Sequence, residues 1–158
     1  MSNLIIRKAN KNDINGIVKL LFEVQKVHSD VRPDLFIAGE RKYTNEELED
    51  ILLDNSKPIF VADINGAVVG YAFCIVSIPK SHTLQPIKSL YIDDLCVDKY
   101  YRGYHIGTEL YNYVLEYAKG IGCYNVTLNV WADNQNAVEF YNKIGLKVQK
   151  IGMEKILK

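Results

Sequence analysis

Hydrophobic and polar positions along the chain change period several times, and each change marks an element. Leu4-Ile5-Ile6 is a short apolar run and predicts an opening strand. Asn10 or Asn12 can cap a helix whose apolar residues fall at Ile14, Ile17, Val18 and Leu21. From Val27 to Tyr43 the period is lost, with Pro33 and Gly39 inside, which predicts a long connection. Thr44-Asn-Glu-Glu47 is a capping box, and Leu48, Ile51 and Leu52 then share one helical face. Ile59 to Ile64 and Ala67 to Ile78 are β-rich runs around Asn65-Gly66, which predicts a hairpin. Leu90 to Val97 reads as a further strand, and Ile106 to Lys119 as a helix stopped by Gly120 and Gly122. Asn125 to Val130 reads as a strand. Asn134 or Asn136 caps a last helix that runs through Ile144 to Gly145, and Leu146 to Leu157 alternates as one or two final strands would. This order predicts a single α/β domain over residues 1–158, with a mixed, mostly antiparallel sheet of six to seven strands and about four helices.

One strand breaks its own pattern. Its apolar residues sit at even positions, Leu90 and Ile92, and then at odd ones, Leu95 and Val97. A regular strand keeps one parity per face, so one extra residue near Asp93-Asp94, a β-bulge, restores the pattern. A strand buried on both faces is the alternative, since parity then carries no information.

Composition narrows the function classes. The 158 residues carry 19 Lys plus Arg and 19 Asp plus Glu, so no overall field draws the chain to nucleic acid or an anionic membrane. No apolar run approaches the roughly 18 residues of a membrane span, and the first ten residues lack a signal-peptide pattern. Cys74, Cys96 and Cys123 lie far apart without metal-ligand spacing, which predicts reduced thiols, no metal site and a cytoplasmic setting.

Two segments carry candidate chemistry. Tyr101-Arg-Gly-Tyr-His-Ile-Gly-Thr108 runs straight into a predicted helix, where unpaired N–H groups and the positive end of the helix dipole suit a pyrophosphate. No Gly-Lys-Ser/Thr follows, so it is not a Walker A loop, and it lacks the three-glycine dinucleotide pattern. The second segment is the helix from Asn134, where Ala137, Tyr141 and Ile144 share a face. Tyr141 can be an ordinary core aromatic with its hydroxyl at the rim.

Together these segments resemble the Gcn5-related N-acetyltransferase superfamily over essentially the whole chain. Its coenzyme motif, Arg/Gln-x-x-Gly-x-Gly/Ala, falls on Arg102 to Gly107. Its downstream pattern, Asn-x-x-Ala-x-x-x-Tyr-x-x-x-Gly-Phe, falls on Asn134, Ala137, Tyr141, Gly145 and Leu146. Two positions depart from it: His105 replaces the middle glycine and Leu146 the phenylalanine. A right-handed backbone at His105, with the imidazole turned away, would keep the loop able to bind.

The resemblance implies acetyl-coenzyme A as co-substrate and an amine as acceptor. It implies that Arg102, Gly103, Tyr104, His105, Ile106, Gly107 and Thr108, with Asn134, Ala137 and Tyr141, line the coenzyme site. Backbone amides around Leu95, Cys96 and Val97 would stabilise the oxyanion. Asp93, matching an acidic residue of the family's polyamine acetyltransferases, would assist removal of the amine proton, with Asp94 and water as alternatives. Tyr141 would protonate the departing thiolate. For the acceptor, the resemblance points to the first two helices and their connection, including His28, Arg32, Asp34, Phe36 and Tyr43, with Trp131 nearby. Arg32, Arg41 and Lys42 are interspersed there with Asp30, Asp34 and Glu40, so charge alone selects no substrate. A small-molecule amine is the leading expectation; a protein amine or a non-catalytic coenzyme-binding module are the alternatives, and a homodimer is left open.

Overall fold

The structure is a computed structural model and describes residues 3–158. Five strands form one sheet in the order β1 (Leu4–Lys8), β2 (Ile59–Ile64), β3 (Ala67–Ser77), β4 (Ser89–Val97) and β5 (Asn125–Leu128). The first four are antiparallel neighbours, and β5 joins β4 in parallel. Parallel neighbours need a crossover, and α3 (Ile106–Gly120) supplies it.

Alternation along the strands separates two cores. Phe60, Ala62, Cys74, Leu90 and Ile92 bury against Ile106, Leu110 and Val114 of α3. Val61, Tyr71, Phe73 and Cys96 bury instead against α1 (Ile14–Val31), through Ile17, Leu20 and Leu21, and against Leu48 of α2 (Asn45–Leu52). The sheet therefore lies between α3 on one face and α1 with α2 on the other. The last helix, α4 (Gln135–Lys143), has no fully buried residue and leans on the α3 side through Ile144 and Leu146.

Local rules account for the element starts. Asn10 closes a capping box on a short 3-10 turn, Lys11–Asp13, that leads into α1. Asp13 there is buried and paired with Arg7 of β1 at 2.8 Å, while Arg7 also reaches Asp63 of β2 at 3.0 Å, fixing the helix entry to the sheet edge. Thr44 and Glu47 form the expected capping box of α2. Asn65 and Gly66 both take positive φ, +51° and +87°, as a tight hairpin requires.

Three expectations need correction. α1 continues to Val31 instead of ending before Val27, and stops just ahead of Pro33, whose ring disfavours helix in the residue before it. The sheet has five strands, not six or seven. Residues 147–158 are exposed and belong to no strand, because their alternation finds no ladder partner among the described residues. Val148, Ile151, Met153, Ile156 and Leu157 project into solvent there.

Candidate active site

The register of β4 against β3 decides what the centre of the site presents. Phe73 pairs with Asp94, but Cys74 pairs with Ile92, so Asp93 has no partner across the ladder. Leu90 and Ile92 before the jump, and Leu95 and Val97 after it, all pack on the α3-side core. The two carboxylates also end on one side. The hydroxyl of Tyr43 donates to Asp93 Oδ2 at 2.8 Å, and that of Tyr71 donates to Asp94 Oδ2 at 2.7 Å. Both tyrosines belong to the core beneath α1 and α2. In a regular strand adjacent side chains point to opposite faces.

Their surroundings differ. Asp93 also accepts from Lys42 Nζ at 2.8 Å. Burial pushes the Asp94 carboxyl up to about 6, although the Tyr71 hydrogen bond and the Lys42 charge pull the other way. Burial, then the Asp93 hydrogen bond, pushes the Tyr43 phenol up to about 12. Burial opposes the charge of Lys42, and the hydrogen bond and charge of Asp93 outweigh it, holding the ammonium above its ordinary range.

Beyond β4 the chain turns through a second 3-10 segment, Lys99–Tyr101, capped by Asp98, whose carboxylate accepts from Tyr100 N–H at 2.9 Å. Gly103 follows at φ +88°, with open space where a Cβ would stand. His105 is the N-cap of α3 at φ +62°, left-handed, and its side chain makes no capping bond. This overturns the expected right-handed backbone: the position wants glycine because its conformation is one that L residues seldom adopt. The first helical bond runs from Glu109 N–H to His105 O at 3.0 Å. The amides of Ile106, Gly107 and Thr108 therefore have no helical carbonyl, which is how a helix start binds anions. Arg102, exposed beside this turn, reaches back to Glu23 of α1 at 3.8 Å. Ile106 itself is core, so only its backbone is available.

α4 closes on this turn. Asn134 Oδ1 accepts from Ala137 N–H at 3.3 Å, and a Cβ on Gly107 would stand 3.1 Å from Phe140 Cζ and 3.7 Å from Val97 Cγ2. Gly107 thus lets α3, α4 and β4 approach, with Phe140 stacked edge-on to Tyr141 at 5.2 Å. Burial, then the charges of Asp94 and Cys96, hold the Tyr141 phenol well above its ordinary range.

The acceptor-side residues form a second group. His28 stacks on Phe36 at 4.9 Å, Phe36 meets Trp131 edge-on at 5.7 Å, and the Arg32 guanidinium lies 5.5 Å from the Trp131 ring. Arg32 is paired with Asp34 at 2.8 Å and Glu154 at 2.6 Å. Burial, then the Lys42 charge, lowers the His28 pKa, which links this group electrostatically to the Asp93 pair.

Sequence reasoning missed Tyr71, Phe140 and Glu23, and gave Lys42 no role; the signals are tertiary, and Phe140, which lies within the downstream motif, holds one of its unspecified positions. Cys96 is buried with its Sγ 3.9 Å from Leu20 O, and burial raises its thiol, so only its backbone is available to a ligand. No group of three His, Cys, Asp or Glu side chains among the described residues can hold a metal, and no helix is long and apolar enough to cross a membrane. A surface concavity of about 380 Å³ between Phe60, Tyr113 and Tyr117 shares no residue with this site.

Comparisons with known proteins give the family and the fold. The sequence model of the acetyltransferase (GNAT) family matches residues 24–146. The uncharacterized N-acetyltransferase MJ1207 of Methanocaldococcus jannaschii is 28% identical over 150 residues, spanning 92% of this chain; the chain covers 62% of that relative's length. Thialysine N-epsilon-acetyltransferase of Bos taurus is 28% identical over 92% of this chain and 85% of its own length. A crystal structure of the BH1408 protein from Bacillus halodurans superposes with a TM-score of 0.91 at 28% identity, covering 97% of this chain and 99% of its own. With a family match from α1 to the end of α4 and a superposition over nearly the whole chain, this protein belongs to the GNAT acetyltransferase family.

Proposed function

We propose that the chain transfers an acetyl group from acetyl-coenzyme A to the primary amine of a small molecule. The observation that carries the reading is the register jump at Asp93, which we read as a β-bulge. It sets two carboxylates on one side of β4, immediately before a left-handed turn into the free amides of α3.

The residues fit the co-substrate. The amides of residues 106–108, the open space at Gly103 and the Arg102 charge suit its pyrophosphate. Asn134 and Ala137 start the helix that borders its arm. Acetyl-coenzyme A supplies the activated thioester. Backbone amides of residues 95–97 stabilise the oxyanion that forms on amine attack. Sequence reasoning gave the proton to Asp93; the differing surroundings divide the work. Asp93 holds the acceptor's ammonium, and Asp94, raised to about 6, takes the proton directly or through water. Tyr141 donates its proton to the departing sulfur.

A homodimer belongs to the same proposal. The outer edge of β5 carries no strand among the described residues, and residues 147–158, which belong to no strand and expose Val148, Ile151, Met153, Ile156 and Leu157, suit a second copy. Three free cysteines suit a reducing cytoplasm. Thiol release measured over a panel of small amines and peptides tests the function. Preference for peptides would replace the small-molecule reading, and coenzyme binding without turnover would support a non-catalytic module.

A further inference from the structure

The acceptor side already contains one ammonium bound to one carboxylate. Lys42 Nζ and the Tyr43 hydroxyl share Asp93 Oδ2, each at 2.8 Å. Tyr43, stacked on Phe73 at 5.4 Å, anchors Asp93 independently of the lysine. Lys42 is the movable partner: its side chain is 47% exposed against 14% for Asp93, and it extends from the connection between α1 and α2. Of the other charged groups nearby, Asp94 lies deeper and Arg32 already has partners. Asp94 is held by Tyr71, and Arg32 is paired with Asp34 and Glu154. An incoming ammonium that takes Asp93 must therefore release Lys42 beside itself.

We propose that Lys42 and Asp93 are an exchangeable ion pair, and that the acceptor is a small amino acid whose ammonium replaces Lys42 on Asp93 while its carboxylate binds Lys42. This deepens the acetyltransferase reading above and rests on it. A diamine would displace Lys42 and set two cations side by side in a half-buried space whose carboxylates are Asp93 and the buried Asp94. A zwitterion exchanges pair for pair, so no charge loses its partner. The flexible four-carbon stem of lysine allows the swing, and its point charge serves a carboxylate at more than one chain length. Lys42 is thus a specificity-determining residue, repelling plain polycations and capturing the anionic end of the acceptor.

The test compares α- and ω-amino acids with their carboxamides and with diamines of the same length. Thiol release from acetyl-coenzyme A is followed in the wild type, Lys42→Met and Lys42→Arg. The wild type should favour each amino acid over its carboxamide by about 10- to 100-fold in kcat/KM, the range of a charge-assisted hydrogen bond, mostly through KM. Lys42→Met should abolish that preference and relatively favour diamines, and Lys42→Arg should keep the preference. Equal use of carboxamides or diamines by the wild type, or an undiminished preference in Lys42→Met, overturns the exchange. Turnover without carboxylate preference overturns this proposal alone. Failure of every amine to release thiol overturns the acetyltransferase reading and this proposal with it.

Discussion

Replacing Asp94 with asparagine should stabilise the protein at neutral pH while slowing the reaction. Burial moves the carboxyl from an ordinary 3.8 to about 6 in the folded chain. A folded-state pKa above the unfolded one means that the folded form holds its proton more tightly. The associated stability is fully present below about 3.8 and is lost as pH rises through about 6. At 1.36 kcal/mol per tenfold change, the gap corresponds to an upper bound of about 3 kcal/mol above pH 6. The substituted amide would not titrate, and its carbonyl can still accept from Tyr71. Asp94→Asn should therefore match the wild type near pH 4 and gain up to about 3 kcal/mol by pH 7, or about 6–12 °C in Tm. Denaturant unfolding from pH 4 to 8 measures the difference. A pH-independent difference, or an Asp94→Asn variant less stable than wild type at pH 7, would refute the argument. In the same variant, kcat should fall about 10²- to 10⁴-fold, the usual contribution of a positioned base.

Tyr141→Phe keeps the ring against Phe140 and deletes the proton. It should fold and bind coenzyme normally and lose about 10²- to 10⁴-fold in turnover, whereas a purely structural Tyr141 predicts wild-type kinetics. Gly107→Glu adds bulk where Phe140 stands 3.1 Å from a Cβ and brings negative charge to the anion site. Calorimetry on the folded variant should show coenzyme binding weakened at least about tenfold, as loss of one charge-assisted contact would. His105→Gly removes a left-handed strain of about 1 kcal/mol and adds a similar entropy to the unfolded chain, so its stability should stay within about 0.5 kcal/mol of wild type. His105→Val, β-branched at positive φ, should lose more than about 1 kcal/mol in the same unfolding assay.

What could be read from the sequence was local. The Thr44–Glu47 box, the Asn65-Gly66 hairpin and the Asn134 cap each depend on a few adjacent residues, and the structure contains all three. The parity change between Ile92 and Leu95 pointed to the stretch where Asp93 drops out of the ladder. Polar pairing over distance was not legible: Lys42 and Asp93 are 51 residues apart, and Tyr71 and Asp94 are 23 apart. No period in the chain encodes either contact. Strand alternation misled at the C-terminus, since a strand exists only with a neighbour and residues 147–158 have none among the described residues. The handedness of His105 also lay beyond sequence reasoning, because a single residue's φ follows from the loop it closes.

Acetyl transfer to an amine at β4 and α3 can be measured directly. The direct measurement follows free thiol and N-acetyl product together, by colorimetry and mass spectrometry, with purified full chain, acetyl-coenzyme A and a graded series of small amines. Thiol release should be saturable and amine-dependent, with one product molecule per thiol, and abolished or strongly reduced in Tyr141→Phe and Asp94→Asn. Saturable coenzyme binding with no amine-dependent thiol above the uncatalysed rate would contradict it.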